Sequence, residues 1–185
     1  AQFLAENNFN VIQMNIRGSS GYGYEFGAEV FGNFEEVLED IYDGIEFFDA
    51  EGLIDKNNLC IYGISYGGYA ATMAPINRPD LFKCAASDAG LYDMEAQYKR
   101  GDIRRSRGGK VFLDKAFKGK DGKLDPSQSP INRVSEMRIP FFLLHGKKDI
   151  RTPYKDAELF MQEMDRNNIS YEKMIITKEE HGLSL

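Results

Sequence analysis

The chain of 185 residues is long enough for one domain with a substantial core, and its hydrophobic content of 42 % is typical of a globular protein. Its net charge is −6 at pH 7 and no basic stripe dominates, which argues against nucleic acid as a partner. Its apolar runs are far shorter than the ~20 residues of a membrane span, so the sequence predicts no transmembrane helix.

The first part of the chain predicts the end of a helix, a strand and a second helix. Residues 2–6 are helix formers, and residues 10–16 alternate as a β-strand does. A polar, glycine-rich loop follows at 17–24, and apolar residues at three- and four-residue steps predict an amphipathic helix over 35–50. Since there is neither an initiator Met nor a signal segment, we expect the chain to begin partway through a helix of a longer domain. The compartment stays open, with a soluble, cytoplasmic protein slightly favoured.

The rest of the chain alternates predicted strands and helices. In chain order these are a strand at 59–62, a helix at 66–77, a strand at 82–87, a strand at 139–144, a helix at 153–167 and a strand at 171–176. Residues 91–138 predict short helices and loops over the edge of the sheet. This alternation predicts the α/β class, with a mostly parallel sheet covered by helices on both faces.

The cysteines and a basic stretch each allow two interpretations. Cys60 and Cys84 lie in predicted strands, and we expect two buried, inert thiols in preference to a disulfide or a metal pair. The sequence therefore predicts no metal and no cofactor. The basic residues between 99 and 107 are typical of a solvated surface, and the alternative is a site for an anionic substrate.

The segment Gly63-Ile-Ser-Tyr-Gly67 matches the pattern G-x-S-x-G between a predicted strand and a predicted helix. In that context a sharp turn holds Ser65 in a strained conformation and lifts its hydroxyl above the sheet. The chains on either side pass too closely for a Cβ atom, which would explain Gly63 and Gly67. The free N–H groups of the helix begin near Tyr66 and would face an oxyanion. The motif therefore predicts a nucleophilic serine.

A serine hydroxyl needs a base to take its proton and an acid to orient that base. The chain has two histidines, and His181 is the one that follows an acid after Ser65 in the order serine, acid, histidine. Asp149 and His181 lie in loops after consecutive predicted strands, and such loops share one edge of a parallel sheet. We therefore predict that Ser65, Asp149 and His181 form a catalytic triad.

Two other acids and the second histidine bear on this assignment. Asp88 and Asp93 follow the next predicted strand after the turn at Ser65, where some hydrolases place the acid, and they compete with Asp149. His145 precedes Asp149 by four residues, and we expect it to shape that loop rather than to transfer protons.

Five stretches resemble the catalytic domain of the prolyl oligopeptidase family of serine peptidases, which includes acylaminoacyl peptidases and dipeptidyl peptidases. They occur in the family's order and cover nearly the whole chain: Asn15-Ile-Arg-Gly-Ser-Ser-Gly-Tyr-Gly23, Asp40-Ile-Tyr-Asp-Gly44, Gly63-Ile-Ser-Tyr-Gly-Gly-Tyr69, His145-Gly-Lys-Lys-Asp-Ile-Arg-Thr-Pro153 and Glu180-His-Gly182. The resemblance implies a partial α/β-hydrolase catalytic domain over residues 1–185, with 91–138 as an insertion over the active-site edge. It also implies that N-terminal strands of this fold are missing from the chain and precede residue 1.

The resemblance implies the same triad and assigns the oxyanion to the backbone N–H of Tyr66. Arg151 matches the family position that holds a carbonyl of the substrate peptide, and a surface arginine is the alternative. Tyr92 and Leu91 are also expected to contact the substrate.

The implied activity is cleavage of peptide bonds in short peptides, through an acyl-enzyme on Ser65. A carboxylesterase with the same triad is one alternative. A catalytically incomplete fragment that acts as a structural domain is another, because the second oxyanion donor of the family would lie upstream of residue 1. The expected partners are a peptide substrate, a β-propeller domain in the full-length protein, and further copies in a homo-oligomer.

Overall fold

The computed structural model of the chain describes residues 1–28, 34, 36–119 and 121–182. Within these residues, four strands form one sheet: Cys60–Ile64 (β1), Cys84–Asp88 (β2), Phe141–Gly146 (β3) and Tyr171–Ile176 (β4). Their order in the sheet is β1-β2-β3-β4, and each neighbouring pair is parallel. All four strands therefore place their carboxyl ends at the same edge of the sheet.

Helices flank this sheet, which confirms the predicted α/β class. The α-helices are Gln2–Glu6 (α1), Tyr24–Ala28 (α2), Val37–Ala50 (α3), Tyr66–Asn77 (α4), Met94–Arg100 (α5), Arg107–Phe117 (α6) and Tyr154–Arg166 (α7). Short 3₁₀ helices cover Lys56–Asn58, Asp102–Arg105, Pro126–Gln128 and Pro130–Glu136. The helix predicted over 35–50 is α3, although Glu35 itself lies outside the described residues. In the described part of the chain, no helix has the length and apolar character needed to cross a membrane.

Helix α4 lies at the centre of the core. Its residues from Gly68 to Ile76 are all buried, as expected of a helix that is apolar on every side. It packs against β1 and β2, while α7 packs against β3. The same core contains Leu143 of β3 and Phe160 of α7. This packing holds the start of α4, and the turn before it, at the carboxyl edge of the sheet.

Residues 10–16, which we predicted to be a strand, do not form one. Met14 and Ile16 are partly buried against the core, whereas Val11 and Ile12 are exposed, so the alternation does not produce one buried side along the whole segment. A strand also needs a neighbour for its backbone hydrogen bonds. Among the described residues β1 is an edge strand that pairs with β2 alone, so residues 10–16 do not extend the sheet.

Cys60 and Cys84 form a disulfide, so the expectation of two inert thiols was wrong. The parallel register makes them direct partners at the start of β1 and β2, with Cα atoms 4.7 Å apart. That separation lies within the range that a disulfide can bridge. Cys60 is also exposed rather than buried. The pattern of either strand alone contains no information about this register.

The glycine-rich loop at 17–24 is attached to α3 through one ion pair. The backbone N–H of Arg17 donates to Asp40 Oδ2 at 2.7 Å, and its side-chain Nε donates to Oδ1 at 2.9 Å. Burial alone would raise the pKa of Asp40, but the hydrogen bonds and charge of Arg17 outweigh it and lower the pKa. Two of the stretches that carry the family resemblance therefore meet in space.

Candidate active site

Ser65 occupies a sharp turn between β1 and α4. Its φ of 59° and ψ of −115° are strained for a residue other than glycine, and its backbone N–H donates to the carbonyl of Asp88 at 2.9 Å. A Cβ atom on Gly63 would lie 2.2 Å from the carbonyl oxygen of Gly67, so glycine is required at 63. A Cβ atom on Gly67 would meet nothing within 4 Å, so our steric explanation was wrong for Gly67.

The structure brings Ser65, His181 and Asp149 together in one hydrogen-bonded row. Ser65 Oγ lies 2.9 Å from His181 Nε2, and His181 Nδ1 lies 2.8 Å from Asp149 Oδ2. Ser65 follows β1, Asp149 follows β3 and His181 follows β4, so all three are at the carboxyl edge of the sheet. Asp93, a competing acid, instead caps α5 by accepting a hydrogen bond from Ala96 N at 2.9 Å.

The carboxylate of Asp149 is buried and saturated with donors. Oδ1 accepts from the backbone N–H groups of Arg151 at 2.8 Å and Thr152 at 2.9 Å. Burial alone would raise the pKa of Asp149, but hydrogen bonds from His181 and Thr152 outweigh it and lower the pKa. An ionised Asp149 keeps the Nδ1 proton of His181 in place, which leaves Nε2 free to accept the proton of Ser65.

Thr152 contacts the carboxylate of Asp149, and the sequence analysis did not predict this contact. Its hydroxyl lies 2.9 Å from Asp149 Oδ2, 2.9 Å from the carbonyl oxygen of Ala89 and 3.3 Å from His181 Nδ1. It thus connects the acid to the segment after β2. The spacing of three residues after the acid was the one available signal, because a threonine there can turn its hydroxyl back to the carboxylate.

His145 is fully buried behind Asp149. With its Nε2 proton it donates to the carbonyl of Thr152 at 2.8 Å, and the same nitrogen lies 3.5 Å from Asp149 Oδ2. Burial lowers the pKa of the His145 imidazole, which favours the neutral ring. The contacts hold the loop at residues 147–153, named here the acid loop, in its turn.

The loop that carries His181, residues 177–182, is attached directly to the acid loop. The backbone N–H of Lys148 donates to the carbonyl of Glu179 at 3.0 Å. A Cβ atom on Gly146 would lie 2.3 Å from the carbonyl oxygen of Glu180, so the close approach depends on this glycine. The base and the acid are therefore positioned by backbone contacts as well as by their own hydrogen bond.

Tyr66 is the first residue of α4, so its backbone N–H has no acceptor inside the helix. The first bond of the helix runs from Tyr69 N to the carbonyl of Ser65 at 3.1 Å. The Tyr66 side chain points elsewhere: its hydroxyl donates to the carbonyl of Phe34 at 3.1 Å, and burial raises its pKa. What Tyr66 offers to a reacting group beside Ser65 is its backbone N–H.

Arg151 lies in the acid loop with a half-exposed side chain, and its Nε lies 2.8 Å from Asp102 Oδ1. Leu91 and Tyr92 are both buried, at 7 % and 1 % exposure. The Tyr92 ring stacks on Phe160 with centroids 4.5 Å apart. Packing in the core leaves these two side chains inaccessible, which argues against the substrate contacts that we expected of them.

The basic stretch after residue 98 is largely engaged within the chain. Lys99 pairs with Glu95, Arg100 pairs with the buried Asp156, and Arg104 donates to the carbonyl of Lys99. These contacts favour a structural and solvated role for the stretch over a site for an anionic substrate. Across residues 1–28, 34, 36–119 and 121–182, no group of three or more His, Cys, Asp or Glu side chains is arranged to hold a metal ion.

Known proteins with similar sequences include peptidases that are much longer than this chain. Dipeptidyl aminopeptidase BIII of Pseudoxanthomonas mexicana is 24 % identical over 199 residues, which cover 99 % of this chain and 27 % of that protein. Acylamino-acid-releasing enzyme 1 of Oryza sativa subsp. japonica is 25 % identical over 195 residues, which cover 98 % of this chain and 24 % of that protein. The chain therefore spans about a quarter of the length of these curated relatives.

The structural comparison agrees. The acylaminoacyl peptidase of Pyrococcus horikoshii superposes with a TM-score of 0.80 at 29 % identity, covering 91 % of this chain and 27 % of that one. This similarity confirms the predicted α/β-hydrolase fold. The sequence model of the prolyl oligopeptidase family matches residues 1–184. The chain belongs to the prolyl oligopeptidase family, as the resemblance of its motifs predicted.

Proposed function

We propose that this chain is the catalytic part of a serine peptidase that forms an acyl-enzyme on Ser65. The observation that carries the proposal is the hydrogen-bonded row in which His181 lies 2.9 Å from Ser65 Oγ and 2.8 Å from Asp149 Oδ2. Nucleophilic catalysis by serine needs a base within hydrogen-bond reach and an acid that orients the base. Membership of a peptidase family supports a peptide as the acyl donor.

Four residues have defined roles in the proposed reaction. Ser65 Oγ attacks the carbonyl carbon of the scissile bond while His181 Nε2 takes its proton, and Asp149 stabilises the imidazolium. The backbone N–H of Tyr66 donates to the oxyanion. His181 then gives the proton to the leaving amine as the C–N bond breaks, and the acyl group stays on Ser65. Water then attacks the carbonyl carbon of this ester while His181 Nε2 takes its proton. His181 returns that proton to Ser65 Oγ as the ester C–O bond breaks, which releases the carboxylic acid product and the free serine.

Active-site labelling tests the proposal. A fluorophosphonate probe should label the wild-type protein and neither Ser65→Ala nor His181→Asn. Ser170→Ala is the matched control, because Ser170 is an exposed serine between α7 and β4, and this variant should be labelled as the wild type is. Labelling that persists in Ser65→Ala would contradict the assignment of the nucleophile.

We propose that Arg151 holds a carbonyl of the substrate peptide. The names of the relatives, dipeptidyl aminopeptidase and acylamino-acid-releasing enzyme, support short peptides as substrates. A hydrogen bond to a charged group contributes about 1.5–3 kcal/mol, so Arg151→Ala should lower kcat/KM on a peptide anilide roughly tenfold to hundredfold. Hydrolysis of a small p-nitrophenyl ester, which lacks that carbonyl, should change much less.

The same paired assay separates the alternatives. A carboxylesterase would hydrolyse the ester well and the anilide poorly, with equal effects of Arg151→Ala on both substrates. A structural domain would neither react with the probe nor hydrolyse either substrate.

For the full-length protein, the family resemblance supports a β-propeller domain and a homo-oligomer as further proposals. The Cys60–Cys84 disulfide favours an oxidising compartment over the cytoplasm that the sequence slightly favoured.

A further inference from the structure

Arg151 is held in place by the segment at residues 91–138, which we name the insertion. Its Nε lies 2.8 Å from Asp102 Oδ1, and the backbone N–H of Asp102 donates to the carbonyl of Ile150 at 3.0 Å. The side chain of Asp102 is 21 % exposed and that of Arg151 is 48 % exposed. One residue of the insertion therefore contacts both the backbone before Arg151 and its guanidinium.

A second residue of the insertion holds the Arg151 backbone. Gln97 is buried, and its Nε2 donates to the carbonyl oxygen of Arg151 at 2.6 Å. A Cβ atom on Gly101 would lie 2.4 Å from that same Nε2, so the chain just before Asp102 packs directly on the Gln97 amide. On its other side, Arg151 donates its N–H to Asp149 Oδ1 at 2.8 Å. The backbone of Arg151 is thus attached to both the insertion and the acid of the triad.

The contact between Arg151 Nε and Asp102 Oδ1 is a close ion pair and not a hydrogen bond, because the Nε–H is not directed at this buried oxygen. Arginine has five N–H donors in a planar fork, and a carboxylate at Nε leaves the donors on Nη1 and Nη2 available. A free arginine side chain has many rotamers, and selection of one rotamer costs conformational entropy when substrate binds. The ion pair with Asp102 already restricts the Arg151 side chain, so part of this conformational entropy is lost before substrate binds.

We propose that Asp102 is a positioning residue, which orients the guanidinium of Arg151 toward the carbonyl of the substrate peptide. The inference rests on the function proposed for Arg151 and extends it to a residue outside the five stretches that carry the family resemblance. It predicts that Asp102 acts on peptide hydrolysis through Arg151 alone.

A double-mutant cycle in the full-length protein tests this. Ordering one long side chain affects binding by about twofold to tenfold, so Asp102→Ala should lower kcat/KM on the peptide anilide by that factor and leave the p-nitrophenyl ester within about twofold of wild type. In the Arg151→Ala background, Asp102→Ala should cause no further loss. Asp102→Asn, which keeps an acceptor of the same size, should lose less than Asp102→Ala.

The control is Glu95→Ala, which removes another acid of the insertion that pairs with Lys99 and has no part in the ion pair of Arg151. It should leave both substrates unchanged, and thermal unfolding should show that every variant is folded. Equal losses on peptide and ester in Asp102→Ala, or a loss that persists without Arg151, would overturn the inference. If Arg151→Ala is selective for the peptide and Asp102→Ala has no effect, this inference fails while the proposed function stands. If Arg151→Ala lowers hydrolysis of the peptide and the ester equally, the role proposed for Arg151 and the role inferred for Asp102 both fail.

Discussion

Removal of the Cys60–Cys84 disulfide should destabilise the domain without damaging the catalytic geometry. The bridge joins residues 24 positions apart, and the loop that it closes contains β1, Ser65 and all of α4. Its cysteines are at the start of β1 and β2, whereas Ser65 follows the end of β1. At about 3.3 Å per residue, the five-residue strand separates the bridge from the serine by roughly 16 Å.

The magnitude follows from loop closure in the unfolded chain. For a loop of 24 residues the entropy model gives about 3.4 kcal/mol at 25 °C. For a chain of this length each kcal/mol shifts Tm by about 2–4 °C, so loss of the bridge should lower Tm by about 7–14 °C.

Thermal unfolding followed by circular dichroism measures this shift. We expect the wild-type protein to lose about 7–14 °C in Tm when dithiothreitol is added. The variant Cys60→Ser/Cys84→Ser should unfold at the reduced temperature with or without dithiothreitol. Hydrolysis at 25 °C should stay within about twofold of wild type, because the triad is at the opposite end of the strands.

Two results would refute this reasoning. One is an unchanged Tm on reduction, which would mean that the bridge contributes nothing to the stability of the segment around Ser65. The other is titration of two free thiols in unreduced protein, which would mean that the bridge does not form.

Three further predictions concern single residues. Gly63→Ala should prevent folding or abolish activity, because its Cβ atom would lie 2.2 Å from the Gly67 carbonyl oxygen. Gly67→Ala should fold normally, as measured by solubility and thermal melting. Because the pKa of Asp149 is lower in the folded state, its ionised carboxylate stabilises the fold at pH values above its unfolded-state pKa of about 3.9. This stabilisation is lost as the pH falls through the folded-state pKa. The difference in unfolding free energy between wild type and Asp149→Asn, from urea titrations, should therefore shrink below about pH 4, and a constant difference would contradict it. Tyr92→Phe removes the 2.9 Å hydrogen bond to Ser87 Oγ and should lower the free energy of unfolding by about 0.5–1.5 kcal/mol. The KM for peptide should stay unchanged, and a raised KM would support a substrate role for Tyr92.

Local patterns predicted most of the elements, because helix and strand periodicity depends on residues that are close in sequence. Strand β4 has the predicted bounds of 171–176, and α4 spans the predicted 66–77. Strand β1 starts one residue later and ends two residues later than predicted, at Ile64, where the strained turn begins. The prediction of a strand at 10–16 was wrong, because alternation of apolar residues does not show whether a neighbouring strand exists.

The sequence by itself predicted the serine and the base of the proposed triad, because a short motif and the order of two histidines along the chain restrict both choices. It left Asp149 in competition with Asp88 and Asp93, and the meeting of the loops after β3 and β4 places Asp149 against the imidazole of His181. Tertiary structure alone also decided the disulfide, the burial of Tyr92, and the contacts of Thr152 and Asp102. Each of these depends on the register of adjacent strands or on the packing of segments far apart in the chain, and no local periodicity contains that information.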